Sequence, residues 1–328
     1  MATITVPREL NLSDDQRVDM LNEHPIIIKD YTVLTPMISK TYSLVRERVW
    51  TRRTGAFLYS RPRMGKTRCA AVLQRLLSIE FPNVHITRLS ADQRRTSSDT
   101  GLVSDLLDAE GLVVKKRQTY KEMLSHLLVH IRTAVSARAG KQFVLLIDEM
   151  QMLSEADLRV LLVLHNRLEM SDIAMTTIGF AQPEILETRS ALLTTKSFNL
   201  IARFLSEPIP FDGCAGREDL STILVAYDNE KRFPEDSTWT YTRFFLPEAY
   251  ESGFRLKDYT PIIWPALIEA SKSLGTGTVP MEHLTRTVEY LLLSNRKKDA
   301  ATFRLNDDMV SAAVASSNLA EFCGLMSQ

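Results

Sequence analysis

The residues with the clearest chemical potential form a short run that begins at Ser60 and ends with Gly65, Lys66 and Thr67. The run follows an apolar stretch typical of a β-strand and opens a helical pattern, which is the context that a phosphate-binding P-loop requires. Backbone N–H groups of such a loop, together with the positive end of the helix dipole, favour bound phosphates. We therefore predict a nucleotide site formed by Ser60, Arg61, Arg63, Met64, Gly65, Lys66, Thr67 and Arg68.

Two of these side chains have distinct predicted roles. Lys66 would reach the β- and γ-phosphates of ATP, and the Thr67 hydroxyl would ligate Mg²⁺. The loop departs from the usual motif because Ser60 replaces its first glycine and Pro62 removes one backbone donor. A lone Gly-Lys-Thr is a weak signal, so the prediction needs a second element.

That second element is the apolar run that starts at Phe143 and ends at Asp148 and Glu149. A buried strand here would deliver two adjacent carboxylates at its carboxyl end. Asp148 would hold Mg²⁺ through water, and Glu149 would act as general base on the attacking water. The alternative is a strand that simply ends in a solvated acidic loop.

These residues need a sheet to position them, and the chain alternates short β-rich runs with longer helical patterns from Ile26 to about Phe211. Such alternation is typical of a parallel α/β sheet. Ser154 and Asp157 form a predicted capping box that opens the last clear helix of this part, 155–169. We predict strands at 56–59, 84–89, 143–148, 173–179 and 207–211, with helices at 66–79, 121–136 and 155–169.

The strand signal fades beyond Asp212, where helical patterns occupy 217–228, 260–273, 280–294 and 306–317. We expect an N-terminal arm (1–25), an α/β core with a five-stranded, mainly parallel sheet (26–211) and a helical lid domain (212–328). A strand ahead of the P-loop, another between it and the strand 143–148, and a glutamate directly after Asp148 together indicate the AAA+ branch of P-loop folds. An aromatic-rich insertion near 231–256 is either a partner surface or additional lid core.

Composition sets limits on the partners. Forty basic residues balance forty acidic ones, so any nucleic-acid contact needs a local basic patch. The three cysteines are widely spaced, which favours reduced thiols. No signal peptide or membrane-spanning run is evident, and we expect a cytoplasmic protein without a membrane partner.

Residues 26–211 resemble the TnsC/TniB family of AAA+ transposition regulators, including those of CRISPR-associated transposons. The resemblance rests on Arg-Met-Gly-Lys-Thr at 63–67, Ile-Asp-Glu at 147–149, Ile-Gly at 178–179 with Gln-Pro-Glu-Ile at 182–185, and Ala-Arg-Phe at 202–204 before Ile-Pro-Phe at 209–211. It implies a DNA-binding ATPase that uses ATP and Mg²⁺. It also implies head-to-tail homo-oligomers on duplex DNA, as a ring or helical filament, that recruit transposase subunits and a targeting factor.

The resemblance also implies roles for residues outside the two motifs. Arg203 would be an arginine finger for the ATP of a neighbouring subunit, or else a surface arginine. Phe180 occupies the family's sensor 1 position, so that role would pass to Thr177 or Gln182, although Thr177 is explained equally well as a core residue. Arg286 is the best candidate for sensor 2, while Ile28 and Tyr31 would either flank the adenine or only pack.

The densest basic run of the core would face the DNA channel in the resembled family. Three or four cations beside a helix N-terminus suit sequence-independent phosphate contacts. The alternative is a solvated charge run. The candidates are Lys115, Lys116, Arg117, Thr119 and Lys121, with Arg94 and Arg95 as a second, weaker group.

His126 and His130 have the i, i+4 spacing of a zinc pair, but the sequence between them lacks the glutamate of the metalloprotease motif. We interpret them as packing residues. The function expected from the sequence is thus an ATP-dependent, DNA-binding regulator of transposition. Its rival is a signalling or motor ATPase of the AAA+ or STAND type that acts on protein partners without DNA.

Overall fold

The structure is a computed structural model that describes residues 12–92, 99–114 and 117–327. The helices, in chain order, are α1 (Asp14–Met20), α2 (Pro25–Ile28), α3 (Pro36–Trp50), α4 (Lys66–Glu80), α5 (Asp99–Ala109), α6 (Tyr120–Ala137), α7 (Glu155–Glu169), α8 (Ile185–Thr194), α9 (Phe198–Phe204), α10 (Arg217–Val225), α11 (Tyr241–Phe245), α12 (Pro247–Glu251), α13 (Thr260–Ser271), α14 (Met281–Asn295), α15 (Asp307–Ser316) and α16 (Leu319–Leu325). The strands are β1 (Gly55–Tyr59), β2 (Val84–Ser90), β3 (Gln142–Asp148), β4 (Ala174–Ala181) and β5 (Pro208–Pro210).

The chain divides into two compact units, of which the first comprises Lys40–Phe211. Its sheet has the order β2-β3-β4-β1-β5, and every pairing is parallel. This confirms the predicted five-stranded P-loop core. Parallel strands end at a common edge, so the loops after β1, β3 and β4 meet there.

Burial explains why these segments became strands in this order. Every residue of β3 is buried, as expected for a central parallel strand covered on both faces. β2 alternates between buried and more exposed positions and lies at one edge. β5 begins and ends with proline, which cannot donate to the ladder and is therefore suited to the other edge.

The predicted capping box at the start of α7 is present. The Ser154 hydroxyl accepts a hydrogen bond from the Asp157 N–H at 3.2 Å, and the Asp157 carboxylate accepts one from the Ser154 N–H at 2.9 Å. A second box opens α6, where Thr119 and Glu122 exchange the same pair of bonds. Both helix starts are therefore set by local sequence.

The second unit comprises Met1–Ser39 and Asp212–Gln328. Its helices include close matches to all four helical patterns predicted beyond Asp212. Helix α14 packs against α15, and α13 packs against both α15 and α16. Residues 26–39, which were predicted to belong to the α/β core, lie instead in this unit, because Tyr31 hydrogen-bonds to Tyr227 and Glu289 within it.

The aromatic-rich insertion contributes to the interior of this second unit. Buried His24 is surrounded by the rings of Phe233, Tyr241, Phe244 and Phe245, with centroids 4.6–4.9 Å away. The segment also forms two short helices, α11 and α12. Burial of these rings favours the additional-core interpretation over a partner surface.

Buried Asp228, just before the insertion, binds its middle and its C-terminal end. Its carboxylate accepts hydrogen bonds from the Thr242 hydroxyl at 2.7 Å and from the N–H groups of Leu256 and Lys257, each at 3.0 Å. Burial raises the pKa of Asp228, while these hydrogen bonds oppose that rise. Across the part of the chain that is described, no helix has the length and apolar character needed to cross a bilayer.

Candidate nucleotide-binding site

The loop after β1 has the backbone shape of a phosphate cradle. Ser60 continues the strand, since its N–H donates to the Ala181 carbonyl at 3.1 Å. The chain then turns with positive φ at Arg63 (64°) and Gly65 (102°), and Gly65 is the N-cap of α4. The first N–H groups of α4 lack helical acceptors, as at every helix start, and they face the loop. The Ser60 and Pro62 departures therefore leave this cradle intact.

Lys66 is buried inside this loop, with only 5% of its surface exposed. Its ammonium donates to the Ser60 carbonyl at 2.7 Å, the Ser60 hydroxyl at 3.1 Å and the Arg61 carbonyl at 2.9 Å. Burial lowers the pKa of Lys66, and the carboxylates of Glu149, Asp148 and Glu184 oppose that effect. A buried ammonium that is held only by neutral oxygens is well placed to exchange them for phosphate oxygens.

Thr67 and Asp148 lie together at the carboxyl edge of the sheet. The Thr67 hydroxyl hydrogen-bonds to the Asp148 carboxylate, which partly offsets the rise in the pKa of Asp148 that burial causes. Asp148 is 3% exposed and ends β3, while Thr67 occupies the first turn of α4. A hydroxyl and a carboxylate that are within hydrogen-bonding reach of each other are oxygen ligands suited to Mg²⁺. The pair was predicted from the sequence, and its role in metal binding stays a prediction.

Glu149 follows in a left-handed backbone conformation, with φ of 54°. Its side chain accepts hydrogen bonds from the amide groups of Gln182 at 3.0 Å and Gln151 at 2.5 Å. Gln151 was not among the residues predicted from the sequence. The available signal was its position in the turn Met150–Met152 directly after the two carboxylates.

The two sensor 1 candidates lie at different places along β4. Gln182 follows the strand at the carboxyl edge, where its N–H also donates to the Gln151 side chain at 2.9 Å. Thr177 is fully buried and pairs with Gly55, at the amino end of β1. The register of β4 places Thr177 about four residues, or roughly 13 Å, from the P-loop edge, which favours Gln182 for the sensor 1 role. The role of either residue stays a prediction.

Gly179 explains how the turn after Asp148 fits over β4. A Cβ atom there would lie 2.1 Å from the Met150 sulfur and 3.2 Å from the Phe57 Cβ. Only glycine leaves room for the buried Met150 side chain. The Ile-Gly element that contributed to the resemblance thus has a packing reason in this chain.

Arg203 lies on α9, at the opposite edge of the sheet from Lys66. Its backbone carbonyl packs against Gly55, the first residue of β1. Its guanidinium contacts the His165 ring nitrogen at 2.5 Å and the Glu169 carboxylate at 3.7 Å, both on α7. Within this unit, therefore, Arg203 and the P-loop are not brought together.

Three further candidates lie in the second unit. Ile28 is exposed at the end of α2. The Tyr31 hydroxyl lies 2.8 Å from that of Tyr227 and donates to Glu289 at 2.9 Å, which favours packing for Tyr31. Arg286 forms an i, i+4 ion pair with Glu282 at 2.5 Å. Nucleotide contacts by Ile28 and Arg286 stay predictions.

The basic segment before α6 is only partly described. Lys115, Lys116, Arg94 and Arg95 lie outside the described residues. Arg117 is exposed with φ of 67°, Thr119 caps α6, and Lys121 is exposed in its first turn. The backbone N–H groups of Thr119 and Glu122 already donate to each other's side chains. Phosphate contacts at this helix start would therefore come from the cationic side chains.

The site as a whole suits a magnesium–triphosphate complex. The P-loop amides and Lys66 would hold the phosphates, Thr67 and Asp148 would hold Mg²⁺, and Glu149 lies where a general base would be needed. The observation that supports this fit is the buried ammonium of Lys66, which is close to carboxylates yet bonded only to neutral oxygens.

Comparisons agree with this geometry. Residues 51–188 match the AAA domain family. The fold is similar to that of the Aeropyrum pernix ORC2 protein in ADPNP and ADP complexes, with a TM-score of 0.60 at 12% identity over 90% of this chain and 71% of that one. It is also similar to the A. pernix ORC1 protein in complex with DNA (TM-score 0.52, 12% identity, 89% of this chain and 68% of that one) and to Drosophila ORC bound to DNA (TM-score 0.52, 12% identity, 96% and 70%). No curated protein sequence matches the chain significantly.

The fold and the site thus define a P-loop nucleotide-binding protein. The chain contains an AAA domain at 51–188, and its five-stranded parallel sheet in the order β2-β3-β4-β1-β5 gives it the AAA+ P-loop fold of an ATPase.

Proposed function

We propose that this AAA+ ATPase uses Mg·ATP to assemble head to tail on duplex DNA and that it regulates DNA transposition. In this proposal the ring or filament recruits transposase subunits and a targeting factor, and hydrolysis disassembles it. The transposition role rests on the sequence resemblance. The assembly and DNA-binding parts have additional support from particular residues.

The observation that carries the assembly proposal is the position of Arg203. It packs beside Gly55 at the amino edge of the sheet, whereas Lys66 lies beyond Tyr59 at the carboxyl edge. The length of β1 alone separates these edges by roughly 13 Å. Arg203 can therefore act on a γ-phosphate only from a neighbouring subunit, which requires a heterologous, head-to-tail interface.

Two observations support duplex DNA as the surface on which assembly occurs. Arg117 and Lys121 are exposed at the start of α6, and neither forms an ion pair within the described ranges. The similar A. pernix ORC1 and Drosophila ORC structures contain DNA. Exposed cations that have no acidic partner among the described residues fit DNA backbone contacts that do not depend on sequence.

The DNA proposal is tested by changing Lys115, Lys116 and Arg117 together to alanine. Duplex affinity would be measured by fluorescence anisotropy, with a slowly hydrolysed ATP analogue, over a salt series. We expect weaker binding to all sequences, with the log–log salt slope reduced by about 0.9 for each DNA phosphate that the variant no longer neutralises. ATP affinity should not change, because these residues lie outside the P-loop.

A matched control is available in the second unit. Arg296, Lys297 and Lys298 form an exposed run with the same composition, one arginine and two lysines. Their replacement by alanine removes the same charge, so it should leave DNA binding nearly unchanged if the contact is local. Equally weakened binding in both triple variants would instead indicate a non-specific charge effect.

The rival function is an AAA+ or STAND-type ATPase that acts only on protein partners. It predicts no duplex binding by the wild-type chain at near-physiological salt in any nucleotide state. That result would refute the DNA proposal while leaving the ATPase assignment in place. Transposase recruitment can then be tested by co-sedimentation of purified transposase with the DNA-bound assembly, with the Lys66→Ala variant as the negative control.

A further inference from the structure

Three residues with metal-binding side chains meet at the amino edge of the sheet, away from the nucleotide site. His85 is the second residue of β2, Glu110 directly follows α5, and His130 lies in the middle of α6. The three ligand atoms lie within 4.8 Å of one another. Sequence spacing suggested His126 as the partner of His130, but His126 is exposed and is not part of the group.

The carboxylate of Glu110 is the centre of the group. Its oxygens lie 3.0 Å from the His85 Nε2 atom and 2.9 Å from the His130 Nε2 atom. The Thr87 hydroxyl also donates to it. Each histidine therefore directs its Nε2 atom at the Glu110 carboxylate.

The surroundings are closed and partly apolar. The side chains of Glu110, His85 and His130 are 5%, 11% and 31% exposed. The His85 ring also stacks on Phe143, with centroids 5.6 Å apart. Burial opposes ionisation of Glu110, yet hydrogen bonds from His85 and Thr87 lower its pKa overall. Glu110 is thus a carboxylate kept charged inside the protein.

We propose that His85, Glu110 and His130 bind a divalent transition-metal cation, with Zn²⁺ as the best fit. Two imidazole nitrogens and one carboxylate oxygen form a common zinc ligand set, which leaves a fourth position for water. Bonds of about 2.0–2.2 Å in tetrahedral geometry separate ligand atoms by about 3.4 Å. The observed N–O separations are a few tenths of an ångström shorter, so small side-chain shifts admit the ion.

The ligand types at this group also argue against Mg²⁺, the cation expected in the nucleotide site. Mg²⁺ prefers an all-oxygen octahedron, whereas imidazole suits zinc and its neighbours in the first transition row. A metal here would connect β2, the end of α5 and α6, which otherwise meet only through packing and hydrogen bonds. Occupancy of the site should therefore raise the stability of the α/β unit.

The test uses the full chain, stripped with a chelator and titrated with Zn²⁺ alone against a chromophoric competitor. Millimolar Mg²⁺ would be present to occupy Asp148 and Thr67. The variants are His130→Ala, Glu110→Gln and the matched control His126→Ala, which removes an exposed histidine one turn earlier on α6. Thermal melting with and without Zn²⁺ would provide a second measurement.

We expect one equivalent of Zn²⁺ per chain for the wild type and for His126→Ala. His130→Ala and Glu110→Gln should bind more than tenfold more weakly, since even outer-shell partners of a metal contribute roughly 10–100-fold. At a hundredfold excess over Kd, Zn²⁺ should raise the wild-type Tm by roughly 5–10 °C. This rise should be absent in His130→Ala, even if that variant is itself less stable.

Two results would overturn the proposal. One is the absence of saturable Zn²⁺ binding by the wild type. The other is binding that is equally strong in His130→Ala and Glu110→Gln, which would place the ion elsewhere. Either result would make the three residues a hydrogen-bonded cluster only.

Discussion

The position of Arg203 gives the sharpest test of assembly, through the substitution Arg203→Ala. Its guanidinium contacts His165 and pairs with Glu169 at 3.7 Å, with side chains 30% and 64% exposed. A pair this exposed contributes less than about 1 kcal/mol. Loss of the hydrogen bond from Arg203 to His165 lowers the folding stability by roughly another 1 kcal/mol. The α/β unit should therefore lose about 1–2 kcal/mol of folding free energy.

The effect on hydrolysis should be much larger. Arginine fingers supplied by a neighbouring subunit raise kcat about 10³-fold or more, which corresponds to at least about 4 kcal/mol of barrier. This exceeds the cost of releasing Arg203 from His165 and Glu169. We therefore expect Arg203→Ala to lose at least about 10³-fold in ATPase activity. Arg167→Ala, which changes an exposed arginine on α7, should keep wild-type activity.

Mixing two inactive variants separates action within a subunit from action between subunits. Glu149→Gln retains ATP binding and Arg203 but loses the general base, whereas Arg203→Ala retains Glu149 and the P-loop. In an equal mixture, about one head-to-tail interface in four would combine an intact site with an intact finger. A coupled assay for phosphate release should then recover activity that neither variant has alone. Full activity of Arg203→Ala, or no recovery in the mixture, would refute the reasoning.

Three more predictions concern single positions. Lys66→Ala should weaken ATP binding by at least about 1.5–3 kcal/mol, because the substitution removes a charge-assisted hydrogen bond to phosphate; calorimetry that gave wild-type affinity would remove Lys66 from the site. Glu149→Gln should bind ATP normally but hydrolyse it slowly, because the amide keeps the shape and loses the base; wild-type turnover would contradict this. Burial lowers the pKa of His24 from 6.5 to about 3, so the unfolded chain takes up a proton that the native state does not, and stability is lost as pH falls below about 6.5. Between pH 7 and 5 this amounts to about 2 kcal/mol, and chemical denaturation should show a flatter pH dependence for His24→Asn but not for His126→Asn.

Much of the α/β unit could be predicted because its signals are local. The apolar run 143–147 must be buried, and its length fits a strand rather than a helix. Capping boxes, the glycine at the N-cap of α4 and the two carboxylates after β3 each involve neighbours within a few residues. Close pairing of Lys66, Thr67 and Asp148 then follows, because parallel strands end at one edge.

Contacts between distant segments could not be predicted in the same way. The sequence leaves Thr177 open as either a sensor 1 candidate or a core residue, and only its pairing with Gly55 shows how far it lies from the P-loop edge. The group of His85, Glu110 and His130 joins three elements that no spacing rule connects. Likewise, Tyr31 lies in the second unit through bonds to residues about two hundred positions away or more.

The sequence by itself therefore determined the strands, the helix starts and the chemistry of the phosphate loop. These depend on burial periodicity, backbone propensity and short-range hydrogen bonds, all of which act over one or two turns. Only the tertiary structure decided which polar side chains share a site, which edge of the sheet Arg203 occupies and where residues 26–39 pack. The physical reason is that strand register and helix packing, rather than separation along the chain, set these distances.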